Sequence, residues 1–270
     1  MPVPCLENLE IVEFAAIIVS IFFLLLGSIF DMRTREVDDW VWWAYGPIGL
    51  SLTIVRLILD PGTLFVTLAS IGVTTLISLG LAYFGMFGGA DSKAIICLSL
   101  TLPVNPTYVP SLLGYVHPFF PLVVLIAGFV CSALLGVWFG IRNFLTYIKK
   151  GRHMFEGLER EGSWRKAMAC ILGYPAKLTQ LQSKFYLYPM EEVAVEENTF
   201  HRSLKLYLSV ETDRDQLVSE FVDPLTKAGF EGNVWVTPGI PMLLFILIGF
   251  ILTLVFGDIV FSTVLILARR

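Results

Sequence analysis

Charge is what this 270-residue chain has least of: only 16% of its residues are Asp, Glu, Lys or Arg, while 56% are hydrophobic. A soluble globular domain carries about 25% charged residues, so this composition reads as a membrane protein. Positive charge is scarcer than negative, 19 Lys and Arg against 23 Asp and Glu, and no long basic block occurs. Neither feature implies a nucleic-acid partner, and none is expected. The four cysteines, Cys5, Cys97, Cys131 and Cys170, show no CxxC spacing, which argues against a disulfide framework or a zinc site. His117, His153 and His201 are far apart and form no metal-ligand spacing. There is also no internal repeat and no low-complexity segment.

Long apolar runs are what the chain has in abundance. A spanning helix needs about 20 mostly apolar residues. Six segments meet that test: Ile11–Phe30, Trp40–Leu59, Leu64–Phe84, Ala94–Leu113, Phe119–Phe139 and Ile240–Ala268. The first is too long for a signal-peptide core and no basic residue precedes it, so it reads as a retained span. Pro103, Pro106 and Pro110 interrupt the fourth. The last is long enough to tilt, or to bend near Gly257–Asp258.

Most of the charge lies between the fifth and sixth segments. Residues 142–184 carry nine basic and three acidic residues; 185–236 carry four basic and ten acidic. Leu204, Leu206, Leu208 and Val210 alternate as a half-buried strand does. Thr212 with Asp215 resembles a capping box, Leu217, Phe221 and Leu225 give a helical stripe up to Gly229, and Val234–Trp235–Val236 reads as a second short strand. The expected fold is therefore an all-α polytopic membrane protein of about six transmembrane helices, with a small cytoplasmic α/β domain inserted before the last. Its divisions are 1–141, 142–238 and 239–270.

Lys and Arg in short loops set the orientation. Arg33 and Arg35 fall in the first loop, Lys93 in the third, and Arg142, Lys149, Lys150 and Arg152 begin the fifth. Arg56 is an exception at the end of the second helix, and Arg269 and Arg270 are two more. The majority places the N-terminus outside and the odd-numbered loops in the cytoplasm.

That orientation brings two aspartates to one face. Asp31 ends the first helix in GSIFDMRTREVDDW, and Asp91 precedes the fourth in FGMFGGADSKAI. An aspartate inside a spanning helix costs about 2.5–3.5 kcal/mol, less near an interface. A single one would read as a charge capping a helix end, but two at one face, one of them in a glycine turn, point to function. Two neighbouring carboxylates share a proton: the ionised one can deprotonate water while the protonated one polarises a carbonyl. That is aspartic-protease chemistry, and it needs neither metal nor cofactor. Gly88 and Gly89, without Cβ atoms, would let the chain turn sharply and a substrate strand come close.

Three segments carry a resemblance. DMRTREVDDWVW resembles the first conserved segment of the archaeal preflagellin peptidases, membrane aspartyl proteases related to the type IV prepilin peptidases. GGADSKAI resembles their second, a GxGD-type motif in which Ala90 stands where the strict motif has glycine. VWVTPGIPML, 234–243, is similar to the segment that re-enters the last helix. The resemblance implies that Asp31 and Asp91 are the catalytic pair, with Gly88, Gly89 and Ala90 as their motif backbone. It also implies substrates: preflagellins or pilin-like precursors that lose a short basic leader at the cytoplasmic face of the cell membrane, with the lipid bilayer as the other partner.

Asp38, Asp39 and Lys93 are candidates for substrate binding. If the segment is helical, Asp38 and Asp39 lie one or two turns beyond Asp31. They could bind a basic leader residue or be interfacial charges before Trp40, Trp42 and Trp43, which read as a membrane anchor. Arg33, Arg35 and Glu36 read as topogenic and locally paired, and Asp258 as a packing or helix-breaking residue. Two other readings stay open. A proton- or ion-coupled transporter predicts carboxylates at mid-span and inverted repeats. A presenilin-type protease normally shows Tyr-Asp and Pro-Ala-Leu segments, whereas Phe30 precedes Asp31 here. A bacterial prepilin peptidase would bring a cysteine-rich domain, which the missing CxxC pairs oppose.

Overall fold

The computed structural model describes residues 3–109, 116–196, 199–206, 214–230 and 232–268. In chain order the helices are α1 (Val3–Thr34), α2 (Asp39–Leu59), α3 (Leu64–Tyr83), α4 (Gly89–Thr101), α5 (Phe120–Lys150), α6 (Ser163–Leu172), α7 (Leu178–Ser183), α8 (Arg214–Lys227), α9 (Met242–Phe256) and α10 (Ile259–Ala268). Five strands interleave with the later helices: β1 (Tyr174–Lys177), β2 (Leu187–Pro189), β3 (Glu191–Glu196), β4 (Thr199–Leu204) and β5 (Asn233–Pro238). The chain divides into two compact units, Met1–Ser132 with Pro241–Arg270, and Ala133–Ile240.

The helices α1, α2 and α3 of the first unit, and α5, which runs past its boundary at Ser132, are long and apolar enough to cross a membrane. A fifth span forms if α9 and α10 count as one; they meet at 67° across Gly257–Asp258. There Asp258 Oδ1 accepts the Phe261 N–H at 3.0 Å and starts α10, so this aspartate caps a helix. The expected fourth span is corrected. α4 has 13 residues and ends at Thr101, which makes it about 20 Å long and too short to cross a bilayer core of roughly 30 Å.

α4 instead sits among its neighbours, touching α1, α2, α3 and α9. Small residues let α2 approach it: a β-carbon on Gly49 would lie 1.9 Å from Thr101 Oγ1 and 3.2 Å from its Cα. Ser78 and Ser92 each donate a hydroxyl to the other's carbonyl, fixing α3 to the start of α4. The core around them holds Leu24, Tyr45, Ile95, Leu98 and Leu243. Trp42 belongs to this core, with its side chain against Gly27, while Trp40 and Trp43 remain exposed. Only the last two suit the membrane anchor expected of all three.

At the other end of α1 lies a buried ion pair. Arg56 Nε meets Glu13 Oε1 at 3.3 Å, and Glu13 Oε2 accepts the Thr107 N–H and hydroxyl, both at 2.8 Å. Arg56 is therefore a packed residue, which removes its conflict with the charge rule.

The second unit is α/β. β5 is the central strand of an antiparallel sheet ordered β1-β5-β2, and β3 with β4 forms a hairpin. The two faces of β5 alternate. Val234 and Val236 pack with Leu181, Leu187, Phe221 and Leu225, whereas Trp235 packs with Phe155, Leu158 and Met190. Buried Glu191 holds Arg202 through both carboxylate oxygens, at 2.6 and 2.8 Å, and accepts the Trp235 N–H at 2.6 Å. The expected strand through 204–210 ends at Leu204; Leu208, Val210 and Thr212 lie outside the described residues.

Candidate active site

Asp31 stands in the last turn of α1 and Asp91 in the first turn of α4. Both are half-buried, and their carboxyls are within electrostatic reach of each other. The meeting is local in origin. α1 stops within a turn of Asp31, because its chain reverses at Arg35, and α4 starts where the turn after α3 delivers it.

That turn is built on Gly85, which the sequence reading passed over. Its φ is 67°. The Gly85 N–H donates to Ala82 and the Met86 N–H to Leu81, each at 2.9 Å, satisfying the last carbonyls of α3 as a left-handed glycine does. Phe87 then anchors in the core, stacked on Phe129 at 5.4 Å. The sequence FGMFGG thus ends one helix with its first glycine and starts the next after its second.

The motif glycines act differently from the expectation. Gly88 has ordinary extended backbone and precedes α4; its N–H donates to Asp91 Oδ2 at 3.1 Å. A β-carbon on Gly88 would lie 3.2 Å from that same oxygen. Its role is therefore to leave space for the carboxylate rather than to permit a sharp turn. Gly89 is exposed, with nothing within 4 Å of a β-carbon placed on it. Ala90 is helical and packs its side chain against the core. Position 90 therefore does not need the glycine of the strict motif.

The other candidates separate from the pair. α1 and α2 are joined by an irregular stretch, 35–38, so Asp38 and Asp39 are not on a continuation of α1. Both are exposed; Asp38 precedes α2, and Asp39 Oδ1 meets Lys93 Nζ at 2.5 Å. This exposed ion pair occupies Lys93 on the side of α4 facing α2, away from Asp91.

Arg35, read from the sequence as topogenic, enters the site. Its guanidinium is within electrostatic reach of both Asp31 and Asp91. The signal was its place four residues after Asp31, one helical turn on, but a helix end hides which way the chain then turns. Among the described residues, no group of three His, Cys, Asp or Glu side chains comes close enough to hold a metal ion.

Comparison with known proteins agrees with this arrangement of segments. The sequence model of the type IV leader peptidase family matches residues 18–143, which include both aspartates. A second, the C-terminal type II domain of archaeal A24 peptidases, matches residues 165–259. A preflagellin peptidase of Methanocaldococcus jannaschii is 28% identical over 248 residues, 89% of this chain and 93% of that protein. Those of Methanococcus voltae and Methanococcus maripaludis are 24% and 22% identical, over 90% and 87% of this chain and 95% and 92% of their own lengths. With both regions of the peptidase matched in order, and with relatives aligned over nearly their whole length, the chain belongs to the type IV leader peptidase family, beside the archaeal preflagellin peptidases.

Proposed function

We propose that the protein is a membrane aspartic endopeptidase that removes the short basic leader from preflagellins or pilin-like precursors, with Asp31 and Asp91 as its catalytic pair. The observation that carries the reading is the approach of these two carboxyls, from helices far apart in sequence, within one electrostatic environment. Both lie in the region matched by the leader peptidase family.

In this mechanism the pair works with one shared proton. The ionised carboxylate takes a proton from a water whose oxygen attacks the scissile carbonyl carbon. The protonated partner gives its proton to the carbonyl oxygen, producing a neutral tetrahedral diol. Collapse breaks the C–N bond, with a proton passing from a carboxyl to the leaving nitrogen and a diol proton returning to the pair. The leader leaves as a carboxylic acid, the mature protein leaves with a new amino terminus, and the pair regains its single proton.

The pair acts at the cytoplasmic face, with the N-terminus outside, residues 1–141 and 239–270 in the membrane and 142–238 in the cytoplasm. The Lys/Arg distribution supports this orientation, and removal of Arg56 from the loop charges strengthens it. The fourth crossing is made by α4 together with the chain after it, whose Thr107 reaches Glu13 near the opposite end of α1.

The test incubates membranes containing wild type, Asp31→Asn or Asp91→Asn with a preflagellin precursor. Each variant should accumulate normally and lose cleavage by at least about 10³-fold. Undiminished cleavage in either would overturn the assignment.

A further inference from the structure

Among the described residues, Arg35 is the only one other than glycine with positive φ, at 62°. L-residues with a β-carbon avoid this left-handed conformation, and a helix that ends in it normally places glycine there. The surrounding bonds hold the reversal. The Arg35 N–H donates to the Asp31 carbonyl at 3.2 Å, and the Thr34 hydroxyl lies 2.8 Å from the Glu36 carbonyl on the far side of the turn. A residue four places after Asp31 lies beside it at the end of α1, and the Arg35 side chain is half-buried there with its Nε atom out of solvent. From there the guanidinium acts on Asp31 from its own helix and on Asp91 from α4. Asp39 pairs with Lys93 at the surface, and Glu36 and Asp38 are exposed.

From this geometry we infer that Arg35 is the positioning residue of the carboxylate pair. Its backbone adopts an unfavourable conformation so that a fixed positive charge sits beside both carboxyls and holds them in one arrangement. This rests on the reading of Asp31 and Asp91 as the catalytic pair and adds a third member to it. The arginine acts through the two aspartates. Strain of this kind persists where the surrounding structure over-determines it, and it concentrates at functional sites. The planar guanidinium suits a two-carboxylate partner better than an ammonium does.

The backbone and the side chain can be tested separately. In Arg35→Gly the left-handed turn becomes easy and the guanidinium is lost. In Arg35→Lys a charge is kept. The purified full-length variants in detergent are assayed for thermal unfolding and for steady-state cleavage of a preflagellin precursor. Arg35→Gly should unfold no earlier than wild type, yet its kcat should fall on the order of 10- to 100-fold with KM changed less than about threefold. Arg35→Lys should recover a large part of that loss. If Arg35→Gly cleaves as wild type does, or if Lys gives no recovery, the inference is wrong. If the glycine variant does not fold, Arg35→Gln against Arg35→Lys carries the same comparison, with equal kcat in the two refuting it. Asp91→Asn is run alongside: cleavage by that variant would overturn the catalytic reading and this inference with it. An inactive Asp91→Asn beside a fully active Arg35→Gly would overturn the role of Arg35 alone.

Discussion

The Asp91 carboxylate leans on the backbone of the residue three places before it. Gly88 donates an N–H to Oδ2, and its missing β-carbon leaves that oxygen room. Gly88→Ala should therefore shift the carboxylate by tenths of an ångström and lower kcat on the order of tenfold, since catalysis is sensitive to small misplacements. Gly89→Ala, beside it in open space, should leave kcat unchanged within about twofold. The two variants assayed in parallel separate crowding from loss of glycine flexibility. A pair that needs one proton also predicts a bell-shaped pH dependence of kcat/KM, with both limbs belonging to the pair rather than to either aspartate. A profile with a single limb would contradict the shared proton. At this scale the two aspartates were legible from the sequence, because a carboxylate at the edge of an apolar run is conspicuous. Gly85 and Arg35 were not, because what distinguishes them is backbone conformation, and composition does not report φ.

A 13-residue helix can stand among longer spans only if the chain beyond it is satisfied by protein, since irregular backbone exposed to lipid leaves its polar groups unpaired. Between Thr101 and Thr107 the chain meets that condition at three points. Thr53 donates to the Thr101 carbonyl, Ser70 to the Pro103 carbonyl, and Glu13 accepts from Thr107. Hydropathy could not find the end of α4, because Ala94–Leu113 remains apolar past it and the missing bonds come from three other helices. Most of α1, α2, α3 and α5 was legible because each is long and continuous. In the second unit, Val234–Trp235–Val236 read correctly as a strand, whereas β1 and β2, at four and three residues with a proline each, carry too little pattern to register. The contact of α2 with α4 is the tightest point of this arrangement. Gly49→Ala should cost about 1–3 kcal/mol by overpacking, read as an earlier unfolding midpoint in detergent. Gly72→Ala, where nothing lies within 4 Å, is the control and should show no loss.

The Glu13–Arg56 pair ties together α1, α2 and the segment after α4 far from the aspartates. Glu13 is 1% exposed and Arg56 7%, so removing one partner strands a buried charge. Arg56→Met should destabilise the protein by about 3–5 kcal/mol, measured as a shift in unfolding midpoint. Adding Glu13→Met should recover part of it, and a double variant no more stable than Arg56→Met alone would show that the pair is not the source of the loss. Neither member stood out in the sequence as half of a pair, since they are 43 residues apart and only packing joins them.

Along α1, 18 residues separate Glu13 from Asp31, about 27 Å of helix, close to the roughly 30 Å of a bilayer core. With Asp31 in the proposed catalytic pair, a rod pinned at its other end by a buried ion pair serves as a depth gauge, setting how far from the bilayer midplane a peptide bond must lie to be cut. A precursor with its scissile bond moved one helical turn deeper, by four apolar residues, should then escape cleavage although every residue around that bond is unchanged.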